Sequence, residues 1–396
     1  MPTLLGIHQR LKDAARILMS RRASLPNPST APSMSKWWGG NMGALGKELP
    51  MTSDSSVEFR RIATEEAFST PNVTAVLEQW VGQAPTDEPD WEFQDFLFHG
   101  AGAFGEVGRS LLIDLDDVRL QIMDANGVDM QVLSLTSPGV QTLDDNQAVG
   151  LVAEANDLLA EAIARHPDRF AGLAAIAPQV PASAVKEIDR AIGQLGLNGI
   201  IINSHTHNEY LDEEKFWPIL EAAEDFDAAI YLHPRCPSAG MARPMQKHDL
   251  LAAIWGFQAE TGLHAMRLLC SGVFDRFPKL TVVLGHLGEA LPYWLHRIDR
   301  FREIPTSTCN VRPRLELTFT EYLKRNFYIT TSGMPWNPAL KFCIEALGAG
   351  NIMFAVDYPY EDTAEAVRFL DNAPIPVADK HKIYHENAER VFHIQS

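Results

Sequence analysis

Residues 351 to 360 read Asn351-Ile352-Met353-Phe354-Ala355-Val356-Asp357-Tyr358-Pro359-Tyr360, five apolar residues in succession that stop at an acid. Such a run predicts a strand over Ile352 to Val356, buried on both faces as in a parallel sheet covered by helices, with Asp357 at its carboxyl end. A carboxylate in that position is costly unless it is hydrogen-bonded, paired or bound to a metal, so it calls for partners. Three other short segments have the same form. Arg61-Ile62-Ala63-Thr64 leads to Glu65, Ala228-Ala229-Ile230-Tyr231-Leu232 leads to His233, and Leu280-Thr281-Val282-Val283-Leu284-Gly285 leads to His286. One such strand end is equally well a capped carboxylate or a hydrogen-bonded histidine; four together favour a common site.

Working outward, Val128 begins a regular alternation. DMQVLSL is a strand, 146 to 166 a helix, FAGLAAIAP a strand, 181 to 195 a helix, 197 to 203 a strand, and 213 to 226 a helix before the strand that ends at His233. A loop at 236 to 249 and a helix over 250 to 269 precede the strand ending at His286. Helices are predicted over 290 to 302 and 314 to 324 with a loop at 303 to 313 between them, a seventh strand over 326 to 330, and helices over 361 to 371 and 377 to 390 after the eighth strand. Strand, helix, strand at this spacing means parallel strands joined by crossover helices. With Ile62 to Thr64 as the first, eight strands predict a single (β/α)8 TIM barrel over residues 59 to 396, whose site lies where the carboxyl ends of the strands converge. No Gly-x-Gly-x-x-Gly follows the first strand, which disfavours a doubly wound dinucleotide fold.

Between strands one and two lies a long insertion with Trp80, Trp91, Phe93, Phe96 and Phe98, plus a helix over about 114 to 126; it is expected to cover the mouth of the barrel. Residues 1 to 58 read as an N-terminal extension or arm, partly flexible, since 24 to 56 are rich in Ser, Pro, Gly and Met.

A formal net charge of -17 and the lack of a Lys/Arg cluster exclude nucleic acid as an expected partner, and no apolar run is long enough for a membrane span. Cys236, Cys270, Cys309 and Cys343 are scattered without Cys-x-x-Cys spacing, which fits thiols in a reducing, cytoplasmic setting. The apolar runs of residues 1 to 30 are too short for a secretory signal, although 8 to 22 are basic and partly amphipathic, as in an organelle-targeting peptide.

Glu65, His233 and Asp357 form a carboxylate and imidazole set without thiolate, suited to one divalent ion, Mn2+ or Zn2+ in preference to Mg2+, with positions left for water or substrate. No organic cofactor is called for. His286 fits a fourth ligand or, preferably, an acid/base.

The stretches ATEEAF (63 to 68), MDANGVDMQVLSLTSPGVQ (123 to 141), NSHTHNEYLDEEKFWPI (203 to 219), YLHP (231 to 234), GVFDRFPKLTVVLGHLGEALPYW (272 to 294), TTSG (330 to 333) and DYPYE (357 to 361) run in order through the chain. On them it resembles the amidohydrolase-related decarboxylases of hydroxylated benzoates, a group that includes the 5-carboxyvanillate, γ-resorcylate and 2,3-dihydroxybenzoate enzymes and is related to aminocarboxymuconate-semialdehyde decarboxylase. The resemblance implies a barrel of the metal-dependent hydrolase type, metal ligands at Glu65, His233 and Asp357, and a catalytic histidine at His286. It further implies metal-dependent, non-oxidative decarboxylation of an ortho-hydroxylated aromatic acid and a homodimer or homotetramer; the chemistry of that step, which needs a proton on the carboxyl-bearing ring carbon, makes protonated Asp357 the candidate donor. Many relatives have Glu-x-His after the first strand; here the third position is Ala67, as in the 5-carboxyvanillate and 2,3-dihydroxybenzoate branches, which argues against a two-metal hydrolase. Hydrolysis of a lactone or amide is the alternative reading of the same ligands.

For a small aromatic carboxylate, Arg297, Tyr360, Asn203, His205 and Phe68 are the candidate contacts. Arg297 aligns with a basic residue that relatives use near the substrate, across a subunit boundary in one reading, and is otherwise a solvated helix arginine. His205 and His207 form a weak His-x-His metal candidate. Phe98, Phe104 and Trp336 are stacking candidates, and Arg109 and Arg119 carboxylate contacts, each with a packing role as the alternative.

Overall fold

The computed structural model describes residues 59–85, 88–99, 103–302 and 315–395; the expected arm at 1 to 58 and the loop expected at 303 to 313 lie outside them. Eight parallel strands follow one another around a sheet in chain order: β1 (Ile62–Phe68), β2 (Met130–Leu135), β3 (Phe170–Ala175), β4 (Gly199–Asn203), β5 (Ile230–His233), β6 (Val282–Leu284), β7 (Phe327–Thr330) and β8 (Ile352–Met353). Every residue of β1 to β4 is buried, as strands covered on both faces require.

The crossover helices turn one stripe inward. In Pro181–Gly193 the buried residues are Ala184, Ile188 and Ala191, at helical spacing, and Pro181 opens the helix where a missing N–H costs nothing. Asp144 caps Asp145–Arg165 through the N–H groups of Asn146 and Gln147, and Thr318 with Glu321 forms a capping box on Phe319–Asn326. Fully buried Ile202, Leu232 and Leu284 belong to the main core. Truncating one such side chain to Ala typically costs about 2–5 kcal/mol.

Four elements depart from the expectations. The insertion after β1 holds four helices, Pro71–Val81, Pro89–His99, Ala103–Ile113 and Val118–Asn126, of which only the last was expected. The last begins at Val118 rather than 114 because the Asp114 carboxylate accepts the N–H groups of Asp116, Asp117, Val118 and Arg119. The helix after β5 starts only at Gly256, and an additional helix, Asn337–Leu347, separates β7 from β8. The eighth strand pairs with β7 only over Ile352–Met353. Beyond it, Phe354 N–H donates to Ile383 O, Ala355 N–H to Thr331 Oγ1 and Val356 N–H to Glu66 Oε1, so side chains and a turn replace the ladder.

That irregular segment closes the barrel. Thr64 N–H donates to Phe354 O at 3.0 Å and Ala67 N–H to Tyr358 O at 2.7 Å, joining β1 to the chain beyond β8. Among the described residues, no helix is long and apolar enough to cross a membrane.

Candidate active site

Glu65 leaves β1 at a bulge, where Ala63 pairs with Gln131 but Glu66 already pairs with Leu133. An extra residue on one strand re-aims its side chains. Glu65 turns into the barrel and is fully buried; Glu66, its neighbour, takes the opposite face by strand alternation. Glu65 Oε2 accepts hydrogen bonds from Tyr231 OH on β5 and from Thr330 Oγ1 on β7, the latter at 2.9 Å. Its other oxygen, Oε1, is buried without a hydrogen-bond partner. A buried, unsatisfied carboxylate oxygen is expensive and points to a ligand.

Oε1 faces His233 Nε2 at 3.5 Å and His286 Nε2 at 4.0 Å. His233 Nδ1 lies 2.8 Å from Pro234 O, so the proton sits on Nδ1 and the Nε2 lone pair faces Glu65. One ligand atom from each of Glu65, His233 and Asp357 lies within 4.8 Å of the others. Donors each about 2.1 Å from a common ion are up to about 4.2 Å apart, so this spread is close to that of a metal site. The set fits one divalent cation of borderline hardness, with the orphaned Glu65 oxygen as the clearest sign of it.

His286 follows β6 on an unusual turn. His286, Leu287, Gly288, Glu289 and Ala290 have φ of 49°, 53°, 79°, 53° and 62°, one turn of left-handed backbone. Each non-glycine residue there costs about 1–2 kcal/mol, so the packing must hold it. A Cβ on Gly288 would lie 2.9 Å from Ile329 Cγ2, and a Cβ on Gly285 would lie 2.8 Å from Glu65 Oε1, which is why the motif reads Gly-His-Leu-Gly. The turn brings Glu289 Oε1 to 2.8 Å from His286 Nδ1 and aims His286 Nε2 at Asp357 Oδ2, 3.8 Å away. Glu289, His286 and Asp357 thus lie in a row, Glu289 buried and the other two half-buried.

The electrostatics separate the roles. Burial raises the Asp357 carboxyl, and the neighbouring Glu65 charge adds to it, against the pull of His286 and His233; the net shift is upward. Burial also opposes the Glu65 charge, but His286, His233 and the hydrogen bonds from Tyr231 and Thr330 outweigh it, and its pKa is lowered. His286 is desolvated too, yet Glu289, Glu65 and Asp357 hold it well above the usual imidazole value. On the outer face, burial pushes Glu66 up to about 8 despite Val356 N–H and Arg119.

Of the other candidates, Tyr360 is half-buried and its OH lies 2.6 Å from Thr136 Oγ1, joining the ends of β2 and β8. Asn203 is buried, and its Oδ1 has no hydrogen-bond partner. Its backbone N–H donates to Gln141 Oε1, while Gln141 Nε2 spans the carbonyls of Asn203, Ser204 and His205. His205 has both ring nitrogens engaged, with Cys236 O at 3.1 Å and Asn208 N–H at 3.3 Å, and burial beside Arg235 pushes its pKa down to about 2. His207 is exposed, so the His-x-His pair does not converge on a metal. Phe68 packs in the main core, and Trp336 is exposed.

Arg119 is fully buried among the carbonyls of Asp114, Ala67 and Leu111 and lies over the Tyr358 ring. Its carboxylate-contact reading gives way to a structural one. Arg109 spans the carbonyls of Leu97 and Phe98, and Arg235 pairs with Asp90 of the insertion, tying helix Pro89–His99 to the loop after β5. Arg297 is exposed on helix Leu291–Arg302, its guanidinium over Phe301.

Tyr231, Thr330 and Glu289 escaped the sequence reading. Tyr231 had a signal, since it stands two residues before His233 on one strand and therefore shares its face. Glu289 had none, because a left-handed turn is not a periodic pattern.

The amidohydrolase sequence profile matches residues 112–394. The chain is 38% identical over 342 residues to a γ-resorcylate decarboxylase of Rhizobium radiobacter, covering 84% of this chain and 98% of the relative. The fold is similar to crystal structures of 5-carboxyvanillate decarboxylase LigW from Sphingomonas paucimobilis (TM-score 0.82, 44% identity, 85% of this chain and 100% of that chain). It is also similar to 5-carboxyvanillate decarboxylase from Novosphingobium aromaticivorans, complexed with manganese and 4-hydroxy-3-methoxy-5-nitrobenzoic acid (TM-score 0.83, 40% identity, 86% and 98%).

Proposed function

Because the chain belongs to the amidohydrolase family, we propose that it is a carboxy-lyase that removes CO2 from an ortho-hydroxylated benzoate, with 5-carboxyvanillate the first substrate to test and γ-resorcylate and 2,3-dihydroxybenzoate next. The observation that carries this reading is the convergence of Glu65, His233 and Asp357 around an unsatisfied buried oxygen, with the Glu289–His286 pair aimed at Asp357. The manganese named with the Novosphingobium relative supports a divalent ion, Mn2+ or Zn2+, in this ligand set. When bound, that ion supplies Lewis-acid stabilisation of negative charge on the phenolic oxygen of the substrate.

The protein residues manage the proton. A benzoate does not lose CO2 directly, because the electrons left behind would lie in an sp2 orbital orthogonal to the ring. Asp357 donates its proton to the carboxyl-bearing ring carbon, which makes the ring the equivalent of a β-keto acid. The C–C bond then breaks, its electron pair restores the aromatic ring and leaves charge on the ortho oxygen, and CO2 departs. His286, held at Nδ1 by Glu289, returns a proton to Asp357 through Nε2. Thr136 and Tyr360 form one wall for the ring substituents.

The test is turnover of a panel of hydroxybenzoates followed by loss of ultraviolet absorbance, with the reaction repeated in D2O. The expected result is CO2 release and one deuterium at the vacated ring carbon. A ring-opened acid from a lactone, or amide cleavage, with no decarboxylation of any panel member, favours the hydrolase alternative instead.

A second copy completes the site in this reading. Tyr293 (68% exposed) and Trp294 (47%) lie edge to face, and Phe342 of helix Asn337–Leu347 packs on Tyr293, leaving an aromatic patch on the outside of the barrel beside Arg297. Contiguous exposed aromatics of this kind mark contact surfaces. A homodimer, or a homotetramer containing it, buries the patch and brings Arg297 to the substrate carboxylate of the neighbouring protomer. Trp294→Asp is expected to shift the molecular mass measured by sedimentation to that of a smaller species. In a co-expressed mixture of Arg297→Ala and Asp357→Asn chains, about a quarter of wild-type activity is expected, since half the dimers pair the two variants and hold one intact site. No recovery in mixed dimers would place Arg297 in its own protomer or away from the reaction.

A further inference from the structure

Asp357 has φ of +76°, a left-handed backbone conformation that is uncommon outside glycine. The residues on either side of it are both tied to β1. Val356 N–H donates to Glu66 Oε1 at 2.9 Å, and Tyr358 O accepts from Ala67 N–H at 2.7 Å. Glu66 is held in turn: its Oε2 accepts from Gln131 Nε2 at 3.0 Å, and Gln131 Oε1 accepts from Arg119 Nη1 at 3.1 Å. Arg119 closes the loop by donating Nη2 to Ala67 O at 2.7 Å and by lying 4.4 Å over the Tyr358 ring. Glu66, Gln131 and Arg119 are all fully buried, on the face of β1 and β2 away from the ligand set. A buried acid, amide and guanidinium are a poor way to fill space, since each must be desolvated and satisfied, and apolar side chains would pack as well. What this trio does that apolar residues cannot is accept Val356 N–H and fix the backbone around Asp357.

We propose that Glu66, braced by Gln131 and Arg119, is a positioning residue that holds Asp357 in its left-handed conformation and sets the direction in which its carboxyl points. One strand then places both partners: Glu65 enters the barrel from β1, and the next residue, Glu66, fixes Asp357 opposite it. The inference rests on Asp357 being the proton donor, so Asp357→Asn is measured alongside.

The experiment compares Glu66→Ala and Glu66→Gln in the metal-loaded enzyme, with kcat, KM, manganese content and affinity for an ortho-nitrophenol analogue of the substrate. Glu66→Ala is expected to lower kcat about a hundredfold, the cost of an ångström-scale misplacement, with KM, metal content and analogue affinity nearly unchanged. Glu66→Gln keeps an acceptor for Val356 N–H but sets its amide against the Gln131 Nε2 donor, so an intermediate kcat at least about fivefold above that of Glu66→Ala is expected. A folded, metal-loaded Glu66→Ala enzyme with wild-type kcat would overturn the inference, as would equal impairment of the two variants or a loss confined to KM. If Glu66→Ala does not accumulate as folded protein, Gln131→Leu carries the test, with about a tenfold lower kcat expected and an unchanged kcat overturning the idea. Turnover by Asp357→Asn at the wild-type rate would instead sink the proton-donor reading on which the inference stands.

Discussion

Replacing Asp357 with asparagine is expected to lower kcat by at least about a thousandfold, close to 4 kcal/mol of transition-state stabilisation. Asparagine matches the shape of the acid and retains a carbonyl oxygen for a cation, so the backbone at φ +76° and the short bonds that flank it should persist. What it lacks is an acidic proton to place on the ring carbon. His286 cannot substitute, because its Nε2 faces Asp357 Oδ2 at 3.8 Å and its Nδ1 is held by Glu289. The decisive measurement is kcat at saturating substrate with metal content determined on the same sample. Near-wild-type turnover with full metal occupancy would falsify the assignment of Asp357 as the acid. A loss explained wholly by loss of metal would reduce Asp357 to a ligand.

Removing the divalent ion is expected to take activity to background, and adding Mn2+ or Zn2+ to restore it. Glu65 is a buried and Asp357 a half-buried carboxylate whose nearest compensating charges are histidines, and Glu65 Oε1 has no hydrogen-bond donor of its own. Two acids brought together in this way repel unless a cation lies between them. The same reasoning predicts lower thermal stability for the stripped protein: an ion present at a hundred times its Kd stabilises the folded state by about 2.7 kcal/mol, which for a barrel of this size is several degrees in Tm. Metal analysis, the decarboxylase assay and a melting curve on stripped and reloaded samples check both parts. Full activity after verified removal would leave the metal reading without support.

How far the sequence reached can be judged residue by residue. Ile200, Ile201 and Ile202, Leu232, and Val282 to Leu284 are runs of apolar residues ending at polar ones, and such runs are legible because a strand buried on both faces must be apolar throughout. Glu65, His233, His286 and Asp357 were found for the same reason, since a charged or imidazole side chain at the end of such a run stands out. Within the insertion only the last helix was anticipated: Pro71–Val81 buries Val73, Leu77 and Val81 at helical spacing, a signal that was passed over, whereas in Pro89–His99 the buried residues are Pro89, Asp90 and Gln94, so the face turned inward is polar, and Asp90 pairs there with Arg235. The eighth strand was read too long because apolar composition reports burial and not hydrogen bonding. Phe354, Ala355 and Val356 are as buried as a strand, but their N–H groups go to Ile383, Thr331 and Glu66.

By itself the sequence determined the barrel, its strand order and the residues that could hold a cation, because burial and strand periodicity are local properties written in residue type. The tertiary structure decided which of those residues meet and in what state. It set Glu289 against His286 through a left-handed turn, placed Tyr231 and Thr330 on Glu65, turned Arg297 outward, and set the Glu66 carboxylate against Val356 N–H. Those outcomes depend on backbone direction at single residues and on contacts between strands far apart in the chain, and a desolvated charge takes its value from just those neighbours.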